Sequence, residues 1–255
     1  MNSLPIQTSI DGHVATVLLS RPPHNFVDVE ALKALADALY MLDADDNCRA
    51  IVLGSQGKSF CAGADFSTVS GGAGPIDSAE IYGQAMRLFS TRKPIVAAIQ
   101  GAAIGAGAGL ALAADFRIAC PASRFSVNFN RLGFHPGFGL SCTLPRLVGL
   151  QMAAKLFYLG ERITGERMVQ LGLADELAPD DQVRERAQAL AREIALSAPQ
   201  AVQSTRETLR LGLADQVRAI NARELAIQQP QFASEDFREG VTASSERRLP
   251  VFTGG

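Results

Sequence analysis

The stretch Ile99-Gln100-Gly101-Ala102-Ala103-Ile104-Gly105-Ala106-Gly107-Ala108-Gly109-Leu110 continues an apolar run that follows Pro94, and it reads as a strand turning into a helix on small residues. A second stretch, Gly57-Lys58-Ser59-Phe60-Cys61-Ala62-Gly63-Ala64-Asp65-Phe66, leaves the buried-strand candidate Ala50–Leu53 in a similar way. Small side chains at a strand end let a ligand approach the main chain. The first N–H groups of a helix are unpaired and lie at its positive end. Two such segments, if they converge, hold one oxygen anion. Gly105, Gly107 and Gly109 lack the Gly-x-Gly-x-x-Gly spacing of a dinucleotide loop, and no ribose-binding acid clearly follows in a βαβ unit. Taken alone, the second glycine run also fits a purely structural role, a small-residue helix packed closely on a sheet.

Working outward, Ile6–Ile10 and Val14–Leu19 read as strands joined by the turn signal Asp11-Gly12. Asp28 is placed to cap a helix whose Leu32, Leu35, Leu39 and Leu42 recur at helical spacing. Residues 67–78, rich in Gly and Ser, read as a mobile loop, followed by a helix around Ala79–Phe89 and a strand over Ile95–Ile99. Further on, Phe116–Cys120 and Phe125–Phe129 read as strands, Gly133 to Leu140 as a second glycine-rich loop, Leu144–Leu147 and Met152–Leu159 as helices, and Ala174–Leu177 as a strand. From Asp181 onward the pattern is helical: Val183, Ala187, Leu190 and Ile194 form one stripe, and Val202, Leu209 and Leu213 another. A third helix runs through Val217 and Ile220. The class is α/β, with an alternating core over residues 1–195 and a helical region over 196–255.

Of 255 residues, 47% are hydrophobic and 20% charged, enough apolar chain for a sizeable core. Lys+Arg (24) nearly balances Asp+Glu (26), and no basic stripe or polybasic run points to nucleic acid or a membrane surface. The four cysteines form no CxxC pair and there are three histidines, so no metal site is expected, and free thiols suit a reducing cytoplasm. The first dozen residues lack a basic n-region and an apolar h-region, which points the same way. The longest apolar stretch, Ile95 to Ala114, is broken by Gln100 and its glycines and does not read as a membrane span.

Taken in order, these motifs resemble the enoyl-CoA hydratase/isomerase (crotonase) family. The resemblance rests on Arg21-Pro22…Asn25, Ser59 to Asp65, Gln100 to Gly107, and Leu132-Gly133-x-x-Pro136-Gly137-x-Gly139. It continues through Pro145-Arg146-Leu147-Val148-Gly149, Leu171-Gly172-Leu173 and Phe232…Asp236…Arg238-Glu239-Gly240. It implies a crotonase-like spiral of ββα units, with residues 196–255 as a C-terminal helical region for oligomerisation or as a lid. It also implies a homotrimer or hexamer, an acyl-CoA thioester as substrate, and no cofactor beyond the coenzyme A that the substrate carries. By the same resemblance the N–H groups of Ala64 and Ala106 form an oxyanion hole, each donor contributing about 3 kcal/mol to a developing enolate or tetrahedral oxyanion. His24, Phe26, Ala62, Asp65 and Phe66 would line the path of the adenine and pantetheine. Lys58 would either meet a phosphate or stay solvated. Gly109, Phe129, Leu132 and Phe138 would form the acyl pocket.

The family's hydratases use two glutamates, and the matching positions here are Gly109 and Phe129. Some relatives carry an acid in the later glycine loop, which here reads Gly133-Phe134-His135-Pro136-Gly137-Phe138-Gly139. Between Asp65 and Glu161 the only carboxylates are Asp77, Glu80 and Asp115, all read as capping, surface or structural charges. A missing general acid/base removes roughly 10²–10⁴ in rate, which disfavours ordinary alkene hydration. His135 is the best substitute for proton transfer, weighed against a loop-holding or gating role. Tyr82 is another candidate donor, weighed against core packing. Decarboxylation, C–C or thioester cleavage, and double-bond shift then fit better than hydration, with a catalytically silent acyl-CoA-binding protein as the alternative.

Overall fold

The computed structural model describes residues 4–64 and 78–255; Asp65, Phe66, Asp77 and most of the expected loop over 67–78 lie outside the described residues. Strands β1 (Ile6–Asp11) and β2 (Val14–Leu19) form an antiparallel hairpin whose turn is carried by Gly12 at φ +56. Helix α1 (Val29–Ala44) begins where the Asp28 side chain accepts from the Ala31 N–H at 2.9 Å, and it buries Leu32, Leu35, Leu39 and Leu42. After β3 (Ala50–Ser55) come α2 (Ser78–Arg87), β4 (Ile95–Ile99), β5 (Ala102–Ile104), α3 (Ala106–Ala113), β6 (Phe116–Ala119) and β7 (Arg124–Ser126). A 3₁₀ turn over Asn128–Leu132 leads to α4 (Leu140–Leu159), β8 (Ile163–Thr164), α5 (Gly165–Gln170) and β9 (Glu176–Leu177). The remainder is helical: α6 (Val183–Ala195), α7 (Pro199–Leu209), α8 (Leu213–Gln231) and α9 (Glu235–Glu246).

The larger sheet has the order β1-β2-β3-β4-β6-β9, parallel throughout except at the β1–β2 edge; the smaller has the order β5-β7-β8. Two successive strand pairs each give one strand to each sheet before a helix. β4 lies in the large sheet and β5 in the small one, and β6 and β7 repeat the step. Because parallel strands are covered on both faces, alternate residues enter different cores. Ile51, Leu53 and Ile99 join the side packed with α1, while Val52, Val96 and Ile118 face Val183, Ala187 and Ala191 of α6. No helix among the described residues is long and apolar enough to cross a membrane.

Several boundaries differ from the sequence reading for local reasons. The strand expected over Phe125–Phe129 ends at Ser126, because its partner β5 has three residues and Gly105, at φ +56, turns that chain into α3. Phe129 therefore sits in the 3₁₀ turn and not in a strand. Strands β5 and β8 are not legible as strands, being three and two residues long. The expected strand Ala174–Leu177 pairs only over Glu176–Leu177. The two helices expected around Leu144–Leu147 and Met152–Leu159 are halves of α4, broken by extended backbone at Gly149 (φ 76, ψ 159). Leu209 and Leu213 do not share a stripe: a turn through Gly212 (φ 73) divides α7 from α8, leaving Leu209 exposed and Leu213 buried.

Candidate active site

The two small-residue segments converge through their backbones. Cys61 N–H donates to the Ala102 carbonyl at 2.8 Å and Ile104 N–H to the Cys61 carbonyl at 3.0 Å. A Cβ on Gly107 would lie 2.0 Å from the Cys61 carbonyl oxygen, and one on Gly101 2.0 Å from that of Lys58. Only glycine admits this approach, which brings residues 61–64 against the start of α3. Ala106 is the first residue of that helix, so its N–H has no intrahelical acceptor. Ala64 pairs with Val27 through its neighbour, Val27 N–H donating to the Gly63 carbonyl at 3.0 Å. Among the described residues neither the Ala64 nor the Ala106 N–H has a protein acceptor. An alanine at 106 retains the donor because this position has ordinary helical backbone.

Both residues line one cavity of about 1410 Å³, together with His24, Phe26, Ala62, Phe129 and Leu132. His24 and Phe26 stack at a ring separation of 5.1 Å beside Ala62, whose N–H donates to the His24 carbonyl at 2.9 Å. The mouth carries Arg124, Arg131, Arg162 and Arg247, a basic rim that suits a polyanionic ligand. Phe129 borders the helix start, its ring 3.8 Å from where a Cβ on Gly105 would stand. Behind it Phe134 makes edge contacts with Phe129 at 5.4 Å and Phe237 at 5.6 Å. Phe232 of α8's end packs on Phe134 at 5.1 Å and completes the aromatic wall.

Gly109 and Phe138 are not among the described residues lining the cavity; they fill one another's space. A Cβ on Gly109 would lie 2.4 Å from Phe138 Cδ1, and Phe138 is fully buried at a left-handed φ of +65. The ring occupies the room that a side chain on this face of α3 would take. His135 also stands outside the described lining. Its Nδ1 lies 2.7 Å from the Pro136 carbonyl, its N–H donates to Gln231 Oε1 at 2.7 Å, and its carbonyl accepts from Gln228 Nε2 at 2.7 Å. All three bonds tie the loop to itself or to α8. Asp115 is engaged elsewhere, accepting from Arg206 and Arg210 and from the Ile95 N–H. Among the described lining residues the one carboxylate is Glu161, exposed at the mouth.

A buried acid that the sequence reading passed over lies beneath the loop. Glu224 of α8, 1% exposed, accepts from Gly139 N–H at 2.7 Å and Ser141 N–H at 2.8 Å and so caps α4. Burial pushes its carboxyl up to about 7 against the pull of those hydrogen bonds. Tyr82 of α2 lines the cavity and is 7% exposed; burial raises its phenol well above the usual range, opposed by a hydrogen bond from Gln228. The signal for Glu224 was present in the spacing: Val217, Asn221, Glu224 and Gln228 share the buried face of α8.

Comparison with known proteins gives a family and a fold. Residues 9–255 match the family model described as enoyl-CoA hydratase/isomerase. A protein named "Probable enoyl-CoA hydratase" from Bacillus subtilis (strain 168) is 36% identical over 254 residues, 98% of each chain. The 1,2-epoxyphenylacetyl-CoA isomerase of Escherichia coli (strain K12) is 32% identical over 270 aligned positions, again 98% of each chain. Among solved structures, carnitinyl-CoA hydratase from Mycobacterium avium superposes with a TM-score of 0.88 at 29% identity, covering 100% of both chains.

Proposed function

We propose that this chain, which belongs to the enoyl-CoA hydratase/isomerase family, binds an acyl-CoA thioester and stabilises its enolate or tetrahedral oxyanion through the N–H groups of Ala64 and Ala106, without the two-glutamate hydration chemistry. The observation that carries this reading is a pair of N–H groups, without an acceptor among the described residues, on one cavity whose described lining holds no carboxylate except Glu161 at the mouth. Two preorganised donors in a site walled by Ile81, Ile104 and Phe129 act in a low dielectric, where each is worth about 3 kcal/mol against developing charge. The basic rim supports the coenzyme A phosphates at the mouth, with His24, Phe26 and Ala62 along the pantetheine path.

The reactions this favours are those that need an oxyanion hole more than a base: decarboxylation, C–C or thioester cleavage, and double-bond isomerisation. In decarboxylation the electron pair of the broken C–C bond enters the enolate and CO₂ leaves, so no protein base has to start the step. The apolar wall and the Phe138 ring beside Gly109 argue against an activated water. The loss of carboxylates also fits a second reading, a catalytically silent acyl-CoA-binding protein.

The assembly belongs to the same reading, as a homotrimer or hexamer; the exposed Leu150 and Tyr158 of α4 and Leu209 and Leu211 beside α7 support a partner surface. The test is mass spectrometry of enoyl-, 3-hydroxyacyl-, 3-oxoacyl- and malonyl-type CoA esters incubated with the protein. Conversion of an oxygenated ester, with 2-enoyl-CoA left unhydrated, supports the enzyme. Binding without any conversion favours the silent protein, and rapid hydration of 2-enoyl-CoA refutes the chemistry.

A further inference from the structure

The buried side chains that line the cavity among the described residues are Ile81, Tyr82, Ile104, Ala106, Phe129, Phe134 and Val241. Tyr82 alone among them carries a polar group. Its placement is built rather than incidental. A Cβ on Gly137 would lie 2.1 Å from the Tyr82 hydroxyl oxygen, so this glycine leaves the space in which the phenol sits. The ring meets Phe138 edge-on at 6.5 Å, and Phe138 is in turn fixed against Gly109. Gln228 Nε2, which donates to the His135 carbonyl at 2.7 Å, also stands against Gly137, 2.6 Å from that Cβ position. Burial resists ionisation of this phenol, so near neutral pH it is a donor and not a base.

We infer that Tyr82 donates a hydrogen bond to the acyl group, and that the site selects thioesters whose acyl part carries an oxygen acceptor (keto, hydroxyl or carboxylate) over plain acyl groups of the same length. This rests on the reading that an acyl-CoA fills the cavity. The physical basis is asymmetry. In an apolar pocket a phenol that gives up its hydration on ligand binding and finds no acceptor loses a hydrogen bond outright, whereas an oxygenated acyl group restores it. A pocket built to bond a polar substrate atom therefore rejects the analogue that lacks it far more strongly than an apolar pocket rejects an extra hydroxyl.

The experiment is titration calorimetry with butyryl-, 3-hydroxybutyryl-, 3-oxobutyryl- and malonyl-CoA, using wild type and Tyr82→Phe, with product formation followed separately. Wild type is expected to bind at least one oxygenated ester roughly tenfold or more tightly than butyryl-CoA, and in Tyr82→Phe that ratio falls to about one. Which ester shows the effect identifies the acceptor. Equal affinities for butyryl-CoA and every oxygenated ester in wild type overturn the inference, as does a preference that survives in a folded Tyr82→Phe. The wild-type ranking decides the matter should the variant fail to fold. If butyryl-CoA binds but no preference appears, the Tyr82 inference alone fails. If no CoA ester binds at all, the acyl-CoA reading falls and takes this inference with it.

Discussion

Gly109 is the position at which the family resemblance places a glutamate, and the ring of Phe138 now fills the space beside it. A Cβ there would lie 2.4 Å from Phe138 Cδ1 and 2.5 Å from Cγ, both below real contact distances, and 3.0 Å from Cβ. Phe138 is fully buried, so its ring has nowhere to swing. Overpacking of this kind costs about 1–3 kcal/mol, against about 1 kcal/mol gained when alanine replaces glycine in a helix. Gly109→Ala is therefore expected to destabilise by up to about 2 kcal/mol. Phe138→Ala alone removes a buried ring and costs about 3–5 kcal/mol. With the ring gone, Gly109→Ala keeps its helix gain and fills part of the void, so in that background it stabilises by about 1 kcal/mol. The coupling between the two sites is then about 1–3 kcal/mol. Urea denaturation of the four proteins at one protein concentration, followed by circular dichroism, measures it. If Gly109→Ala costs the same in both backgrounds, Phe138 is not what excludes a side chain at 109.

Other expectations follow from the groups beneath and beside the cavity. Glu224 has its carboxyl raised from 4.5 to about 7 by burial, so the folded state holds its proton more tightly than the unfolded chain. Its contribution to stability is fully present below pH 4.5 and is lost as pH rises through about 7, a change of about 3 kcal/mol. Denaturation midpoints at pH 5 and pH 8 should therefore show a fall in wild type that is smaller in Glu224→Gln, and equal falls in the two proteins would contradict it. His135, whose Nδ1 is engaged at 2.7 Å by the Pro136 carbonyl, stands off the cavity. Turnover of whichever ester is consumed should fall less than tenfold in His135→Ala, and a loss of 10² or more would return the proton-transfer role to this residue.

The elements that sequence reading found are those whose period is long enough to declare itself. Leu32, Leu35, Leu39 and Leu42 spell out α1, and Asp28 marks its start. Strands β3 and β4, inside the large sheet, are near-continuous apolar runs, as strands covered on both faces should be. Strands β5 and β8 carry no such pattern, because pairing across space, not local sequence, makes them strands. The convergence of residues 61–64 with the start of α3 was legible as two runs of small residues, since only glycine at 107 tolerates a carbonyl 2.0 Å from its absent Cβ. What local sequence did not convey is the contribution of α8. Glu224, Gln228 and the tail's Phe232 reach the loop and the cavity wall from far along the chain. Their shared face with Val217 was the available clue.

The account turns on the Ala106 N–H, and Ala106→Pro addresses it with little other disturbance. Proline is well tolerated at the first helical position, where Ala106 stands, because that N–H has no helical partner and the ring's φ is already helical. The substitution replaces one oxyanion donor with the ring's Cδ and leaves the helix start in place. Circular dichroism and acyl-CoA binding by calorimetry would be measured alongside the rate of consumption of each ester that wild type converts. The expected result is a folded protein that still binds acyl-CoA and turns it over about 10²–10³ times more slowly. Unchanged turnover in a folded Ala106→Pro would contradict the claim that this N–H stabilises the reaction's negative charge.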